Sequence, residues 1–195
     1  MKLTKELLPK AHFIGSFTDN NQMPSDYKEV CFIGRSNSGK SSLLSSLCSN
    51  SSIVKTSKKP GSTRTINFFK WREIYMVDLP GYGYATASHR VRDDLSNIIS
   101  RYIHEDTNLF AGFLLLDCYR KPEEEELYIA NLFKERSIPL ILLYTKVDRV
   151  NQKDMVRIKK QNEEYDKLFF NQVYISSKKN INLDFIYNYL ISMGA

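Results

Sequence analysis

The sequence predicts an α/β domain with a six-stranded, mostly parallel sheet and one antiparallel edge strand. Short β-rich apolar runs alternate with helical patterns along the 195 residues, and 42% hydrophobic with 26% charged residues is typical of a globular protein. The predicted strands are 29–33, 66–72, 74–79, 112–118, 139–144 and 172–176. The predicted helices lie near 40–50, 88–104, 122–136, 153–168 and 182–193.

Individual elements follow from local features of the chain. Residues 1–26 lack a clean periodicity, and we expect an N-terminal extension followed by a single domain over 27–195. Strands 66–72 and 74–79 are too close for a helical crossover, which predicts an antiparallel hairpin at the sheet edge. The run Glu123–Glu126 follows Pro122 and is typical of an acidic first helical turn, favoured by the helix dipole.

Composition excludes several classes of protein. No apolar run approaches the roughly 20 residues of a membrane span, and the charged start of the chain lacks the apolar stretch of a signal peptide, so we expect a cytoplasmic protein that binds no membrane. The three cysteines have no metal-ligand spacing and are expected to be core residues without disulfides. The net charge is +6, and residues 55–72 carry six basic and no acidic residues, which is typical of either a solvated face or a nucleic-acid contact.

A glycine-rich turn follows the first predicted strand. The string Gly34-Arg35-Ser36-Asn37-Ser38-Gly39-Lys40-Ser41-Ser42 fits G-x-x-x-x-G-K-[ST] and stands between a strand and a helix, as a phosphate-binding P-loop does. Gly34 and Gly39 would let backbone N–H groups converge on a β-phosphate, Lys40 would span the β- and γ-phosphates, and Ser41 would ligate Mg²⁺. The alternative is a Gly/Ser-rich turn that only caps a helix. The favoured fold is therefore the three-layer P-loop NTPase sandwich.

Two further segments are candidates for sensing a γ-phosphate. Asp78-Leu79-Pro80-Gly81 ends a predicted strand, which suits Asp78 for Mg²⁺-bound water and the Gly81 N–H for the γ-phosphate. The loop 57–65 is rich in Gly, Pro and small polar residues and is a candidate switch. Thr63 is the first choice there for a Mg²⁺ ligand, and Thr65 is the second.

Two segments in the C-terminal half of the chain predict which base the bound nucleotide carries. Thr145-Lys146-Val147-Asp148 fits the [N/T]-K-x-D pattern, in which Asp148 accepts hydrogen bonds from guanine N1–H and its 2-amino group while the Lys146 stem covers the ring. Ser176-Ser177-Lys178 follows the last strand and can present a backbone N–H to guanine O6. These patterns predict GTP as the substrate and disfavour an ATP-using kinase.

The motifs resemble those of the EngB/YsxC/YihA group of bacterial ribosome-assembly GTPases, within the translation-factor-related class. The most distinctive likeness is the Gly81-Tyr82-Gly83-Tyr84-Ala85 continuation of the Asp78 motif. The resemblance implies a role in maturing the large ribosomal subunit, with rRNA and ribosomal proteins as partners and consequences for growth, septation and division. It also adds Gly61 and Ser62 to the nucleotide-binding set, and K⁺ at Asn37 as a second cation beside Mg²⁺.

The residue after Gly81 bears on the rate of hydrolysis. Ras-like enzymes place a water-orienting glutamine there, whereas this chain has Tyr82, so we expect slow intrinsic turnover that a partner or a cation raises. A GTP-binding interaction module with little hydrolysis is one alternative, and a Ras-type signalling GTPase is another. We expect a monomer. We also expect an outward-facing surface after Gly81, in which Tyr82 and Tyr84 either stack on bases or pack partly in the core. That surface comprises Tyr82, Tyr84, His89, Arg90 and Arg92.

Overall fold

The fold was analysed in a computed structural model, which describes residues 11–18, 22–48, 65–83 and 89–194. These residues form one sheet with strand order β1-β3-β4-β2-β5-β6-β7. The strands are β1 His12–Phe17, β2 Lys28–Gly34, β3 Ile66–Trp71, β4 Ile74–Asp78, β5 Leu109–Asp117, β6 Leu140–Thr145 and β7 Asn171–Tyr174. The α-helices are α1 Lys40–Leu47, α2 His89–Glu105, α3 Glu124–Glu135, α4 Gln152–Asn162 and α5 Leu183–Gly194.

The strand count and the position of the antiparallel strand differ from the prediction. The described sheet has seven strands because β1, inside the expected N-terminal extension, pairs antiparallel with β3. In this sheet, β3 alone is antiparallel to the other strands. It is not an edge strand, because β1 pairs with its outer side. Gly15 interrupts the alternation of β1 and coincides with a shift in its register, so the period-2 pattern was hidden.

The core lies in two layers, one on each face of the sheet. Successive residues of β2 alternate between them: Cys31 and Ile33 pack on the face covered by α2 and α3, and Val30 and Phe32 pack on the face covered by α1 and α5. This burial on both faces explains why the central strands are continuous apolar runs. The three cysteines are free and buried, as expected.

The parallel strands bring their carboxyl ends to one edge of the sheet. β2 pairs in parallel with β4 and β5, and β6 pairs in parallel with β5 and β7. Loops that follow such ends form the ligand crevice of open α/β sheets. All the predicted phosphate and base motifs that the structure describes follow these ends. In the described ranges, no helix has both the length and the apolar character needed to cross a membrane.

Candidate nucleotide-binding site

The glycine-rich turn joins β2 to α1 through a backbone that needs glycine at two points. A Cβ on Gly34 would lie 2.5 Å from Ser38 Oγ and 2.8 Å from the Leu115 carbonyl oxygen, closer than atoms can pack. Gly39 has φ 98°, in the left-handed region that favours glycine, directly before α1 begins at Lys40. The helix is anchored by three buried side chains, those of Leu43, Leu44 and Leu47. The N–H groups of its first helical turn therefore face the glycine-rich loop.

The predicted phosphate lysine and the predicted magnesium aspartate lie together. Lys40 Nζ forms an ion pair with Asp78 Oδ1, and both side chains are largely buried. Asn67 Nδ2 donates to Asp78 Oδ2 over 3.3 Å, and Ser16 Oγ in turn donates to Asn67 Oδ1 over 2.6 Å. Asp78 is therefore held in place by the neighbouring strand β3, while Lys40 approaches it from the P-loop.

The two predicted base-binding segments also meet. Ser176 Oγ donates to Asp148 Oδ1 over 2.6 Å, and this hydrogen bond is the main cause that lowers the pKa of the Asp148 carboxyl. Asp148 lies in a short 3₁₀ turn, Val147–Arg149, and remains half-exposed. The Ser176 N–H donates to the Ile181 carbonyl, so Ser177 offers the next backbone donor of that loop, ahead of the exposed Lys178.

Thr145 and Lys146 connect the base side to the P-loop. Thr145 Oγ1 donates to the Ser38 carbonyl over 2.6 Å. Lys146 Nζ donates to the Asn37 carbonyl over 2.7 Å and to Asp117 Oδ2 over 2.8 Å. Lys146 has φ 62° and Asn37 has φ 66°, an uncommon conformation for residues other than glycine that clusters at functional sites.

Sequence reasoning missed several residues around the same crevice. A pocket of about 350 Å³ is lined by the P-loop, by Lys146, by Asp117 at the end of β5, and by Tyr119 and Arg120 after it. The Tyr119 hydroxyl donates to the Arg149 carbonyl over 2.7 Å, beside the base segment. The position of Asp117 at the carboxyl end of a buried strand was the available signal, because polar side chains there meet at the ligand edge.

Two residues of the predicted site turn towards α3. The guanidinium of Arg35 pairs with Glu123, Glu125 and Glu126, and the Tyr82 hydroxyl donates to Glu126 Oε1 over 2.9 Å. Tyr82 is only 4% exposed, so its ring packs in the core and is not an outward stacking surface. The acidic run does form a helix start, with a capping box between Glu123 and Glu126, but it also binds the P-loop.

Other predicted residues fall at or beyond the limits of what is described. Ser41 and Ser42 lie in the first turn of α1, and Thr65 precedes β3 directly. Gly61, Ser62 and Thr63 lie outside the described residues, as does Tyr84. Of the candidate Mg²⁺ ligands, the described residues include the Ser41 hydroxyl, next to Lys40, and the Asp78 carboxylate. Both are oxygen ligands of the type that Mg²⁺ prefers.

The chain is similar to known GTP-binding proteins along most of its length. Residues 29–146 match the family model described as 50S ribosome-binding GTPase. A probable GTP-binding protein EngB of Desulforapulum autotrophicum is 39% identical over 96% of this chain and 98% of its own length. Another, from Desulfovibrio desulfuricans, is 38% identical over 80% of this chain and 78% of its own.

Solved structures show the same fold. A crystal structure of a probable GTP-binding protein engB superposes with a TM-score of 0.68 at 23% identity, covering 85% of this chain and 97% of that one. Era in complex with MgGDPNP and nucleotides 1506–1542 of 16S ribosomal RNA gives 0.63 at 19% identity, covering 87% and 57%. The P-loop GTPase fold is therefore confirmed, and the chain belongs to the EngB family of 50S ribosome-binding GTPases, which makes it a GTP-binding and GTP-hydrolysing protein.

Proposed function

We propose that this protein is a slow GTPase that acts as a nucleotide-dependent switch in assembly of the large ribosomal subunit. The observation that carries the nucleotide part is the Asp148–Ser176 pair, held beside the P-loop by Thr145 and Lys146. The residues proposed to recognise the base are thereby fixed relative to the loop proposed to bind the phosphates, so the site would hold both ends of a guanine nucleotide. The subunit is proposed from the family, whose model describes binding to the 50S ribosome.

Guanine selection would follow from the charge of Asp148. The hydrogen bond from Ser176 stabilises the carboxylate, so it is ionised at neutral pH and accepts from guanine N1–H and the 2-amino group. Adenine has neither donor in that position and would leave the carboxylate unpaired. The Lys146 stem would cover the ring, and a backbone N–H of the loop from Ser176 to Lys178, with Ser177 first, would meet O6.

The phosphates would be bound by backbone N–H groups between Asn37 and Ser42, with Lys40 moving from Asp78 to the β- and γ-phosphates. Ser41, Asp78 and Thr63 are the proposed holders of Mg²⁺, which when bound neutralises charge on the β- and γ-phosphates. The Gly81 N–H and the loop containing Gly61, Ser62 and Thr63 would sense the γ-phosphate.

Slow intrinsic hydrolysis is proposed from the hydrogen bond that the Tyr82 side chain makes. Its hydroxyl is bonded to Glu126, so it does not orient an attacking water as a glutamine does. K⁺ bound at Asn37 is the proposed source of additional positive charge, and GTPase rates in K⁺ and Na⁺ at matched ionic strength test it. Equal rates would remove K⁺ from the mechanism.

The same position of Tyr82 favours a second candidate, a GTP-binding interaction module with little hydrolysis. Multiple-turnover phosphate release, measured with and without pre-ribosomal particles, separates the two. A switch with stimulated hydrolysis releases phosphate faster when particles are added. An unchanged trace at the background rate supports the binding module.

The ribosomal role is proposed for a cytoplasmic monomer that supports growth, septation and cell division. Its γ-phosphate contacts would favour the ribosome-bound state, because a ligand shifts an equilibrium only by its differential affinity. Sucrose-gradient sedimentation of large-subunit precursors with the protein and GDP or a non-hydrolysable GTP analogue tests this. Co-sedimentation with the analogue and not with GDP is expected, while its absence with both would remove the ribosome and leave the GTPase fold standing.

A further inference from the structure

A buried ionic cluster connects the P-loop to the start of α3. Glu126 is 0% exposed, and its carboxylate accepts from Arg35 Nε over 2.7 Å and from the Glu123 N–H over 2.8 Å. The Arg35 side chain is 12% exposed and also pairs with Glu123 and Glu125. Because its Nε and Nη2 donors are bonded to three carboxylates, the guanidinium is held against the start of α3, and we do not assign Arg35 the role of an arginine finger.

Tyr82 joins this cluster through its side chain and the P-loop through its backbone. Its hydroxyl donates to the same Glu126 Oε1, over 2.9 Å. Its carbonyl accepts from the Ser36 N–H over 2.8 Å, and it forms a parallel β-bridge with Arg35. The pKa of the Tyr82 hydroxyl is raised, by burial first and then by the Glu126 charge, so it remains a hydrogen-bond donor at all physiological pH.

The turn that contains Gly81 is consequently fixed at both ends, to β2 at its start and to the P-loop and α3 at its end. At its start, the Leu79 N–H donates to the Phe32 carbonyl of β2 over 3.1 Å. At its end, Tyr82 is held by Ser36 and Glu126. Only Pro80 and Gly81 lie between these two attachments, so the direction of the Gly81 N–H depends on where Tyr82 is held.

We propose that Arg35 and Glu126 are positioning residues for GTP hydrolysis, which act by holding Tyr82 so that the Gly81 N–H is preorganised for the γ-phosphate. The proposal rests on the proposed function, which assigns the Gly81 N–H to that phosphate. At the position of the water-orienting glutamine of Ras-like enzymes, this chain thus has a tyrosine that is bonded to α3. A donor that is already in place loses little conformational entropy when the transition state forms.

The energetic consequence is specific to the γ-phosphate. GDP does not reach the Gly81 N–H, so the anchor contributes nothing to GDP affinity. GTP and the transition state do reach it, so loss of the anchor lowers both GTP affinity and the rate of the chemical step. A residue that only stabilised the fold would not separate GTP from GDP.

The test uses the full chain with three single substitutions, Tyr82→Phe, Glu126→Gln and the control Glu124→Gln. Tyr82→Phe removes only the hydroxyl and preserves the core, which covers the case that Glu126→Gln fails to fold. Glu124 is an exposed acidic neighbour on the same helical turn, lining a groove between α2 and α3. Dissociation constants for GDP and for a non-hydrolysable GTP analogue are measured together with single-turnover hydrolysis.

We expect Tyr82→Phe and Glu126→Gln to lower the single-turnover rate by about threefold to tenfold, which corresponds to the net contribution of one ordinary hydrogen bond. The preference for the GTP analogue over GDP falls by a similar factor, while GDP affinity stays within about twofold of the wild-type value. Glu124→Gln matches the wild type. The combination of Tyr82→Phe with Glu126→Gln, prepared as a fourth variant, costs no more than Glu126→Gln alone, because both residues act through one contact.

Two results overturn the proposal. Rates and nucleotide preference that equal those of the wild type in folded Tyr82→Phe show that the anchor does not position Gly81. A parallel loss of GDP and GTP affinity shows that it only stabilises the P-loop. Failure of the proposed function is distinguishable, since the wild-type protein itself would then show no binding of guanine nucleotides or no hydrolysis.

Discussion

The base side and the switch side of the nucleotide site are built differently. On the base side, the contacts join residues of short motifs: Asp148 with Ser176, Thr145 with Ser38, and Lys146 with Asn37. On the switch side, the motif residues Asp78 and Tyr82 are held by Asn67 and Glu126, which belong to no nucleotide motif. The base side is therefore held together by the motif residues themselves. The switch side also depends on residues outside the motifs, which the fold brings next to it. Variants on the base side should affect GTP and GDP alike, and variants on the switch side should separate them.

The largest expected effect is that of Asp148→Asn. The substitution leaves one acceptor oxygen for two guanine donors and places an NH₂ group against the other donor, so affinities for GTP and GDP should fall by about 10³-fold or more and by equal factors. Xanthosine triphosphate, whose 2-oxo group can accept from the new amide, should bind this variant better than GTP does. Competition against a fluorescent guanine nucleotide measures all three affinities.

Ser176→Ala is the matched control for that variant. It removes the hydroxyl that donates to Asp148 but keeps the carboxylate, so guanine preference should persist with a smaller loss, about tenfold or less. An unchanged guanine preference in Asp148→Asn would show that the base pocket has been placed wrongly.

These two sides also explain how far sequence reasoning reached. The helices and central strands followed from apolar runs, and the base and phosphate motifs are contiguous strings whose spacing is set by local chemistry. The partners of Arg35 lie 88 to 91 residues away, at Glu123, Glu125 and Glu126, and such contacts depend on how α3 packs beside the P-loop. β1 was missed because Gly15 disrupts its alternation, and its pairing with β3 is decided by tertiary contacts.

The second prediction concerns stability at the end of the sheet opposite the nucleotide site, where the C-terminal part of α2 is hydrogen-bonded to the start of β2. Tyr102 of α2 donates to Glu29 Oε2 over 2.6 Å, and burial, with the charge of Asp106, raises the pKa of Glu29 to about 8. The folded protein therefore binds a proton that the unfolded chain releases near pH 4.5. The contribution is complete below pH 4.5 and is lost as pH rises towards 8, so stability should decrease over that window.

Glu29→Gln mimics the protonated carboxyl and should remove this dependence. At pH 8.5 the variant should be more stable than the wild type by about 4 kcal/mol, the free energy that corresponds to a pKa of about 8 in the folded protein against 4.5 in the unfolded chain, and at pH 4.5 the two should be nearly equal. Urea unfolding at both pH values, followed by circular dichroism, measures the difference. A variant that is less stable than the wild type at pH 8.5 would contradict the assignment of a proton to Glu29.

A smaller effect is expected for Thr145→Val, which keeps the shape of the side chain and removes its hydroxyl. The Ser38 carbonyl loses a hydrogen bond of 2.6 Å at a buried position, which should cost about 1 kcal/mol of unfolding free energy. Because this contact positions the P-loop behind the phosphates, GTP and GDP affinities should fall by the same factor of about three to ten. Titration calorimetry with both nucleotides checks the ratio, and a selective loss of GTP affinity would place Thr145 with the switch instead.

The smallest effect is expected for Asp117→Asn, which tests the residue on the base side that the motifs did not reveal. The Lys146–Asp117 pair is partly exposed, so solvent screening limits its contribution to below about 1 kcal/mol, and the asparagine oxygen still accepts from Lys146. We expect a loss of about twofold to fourfold in both GTP and GDP affinity, reduced further at high salt. Lys146 keeps its second bond, to the Asn37 carbonyl, which is why the loss stays small. If Asp117→Asn instead lowered affinity as much as Asp148→Asn, the carboxylate of Asp117 would have to contact the nucleotide itself, and the base side would extend beyond its motifs.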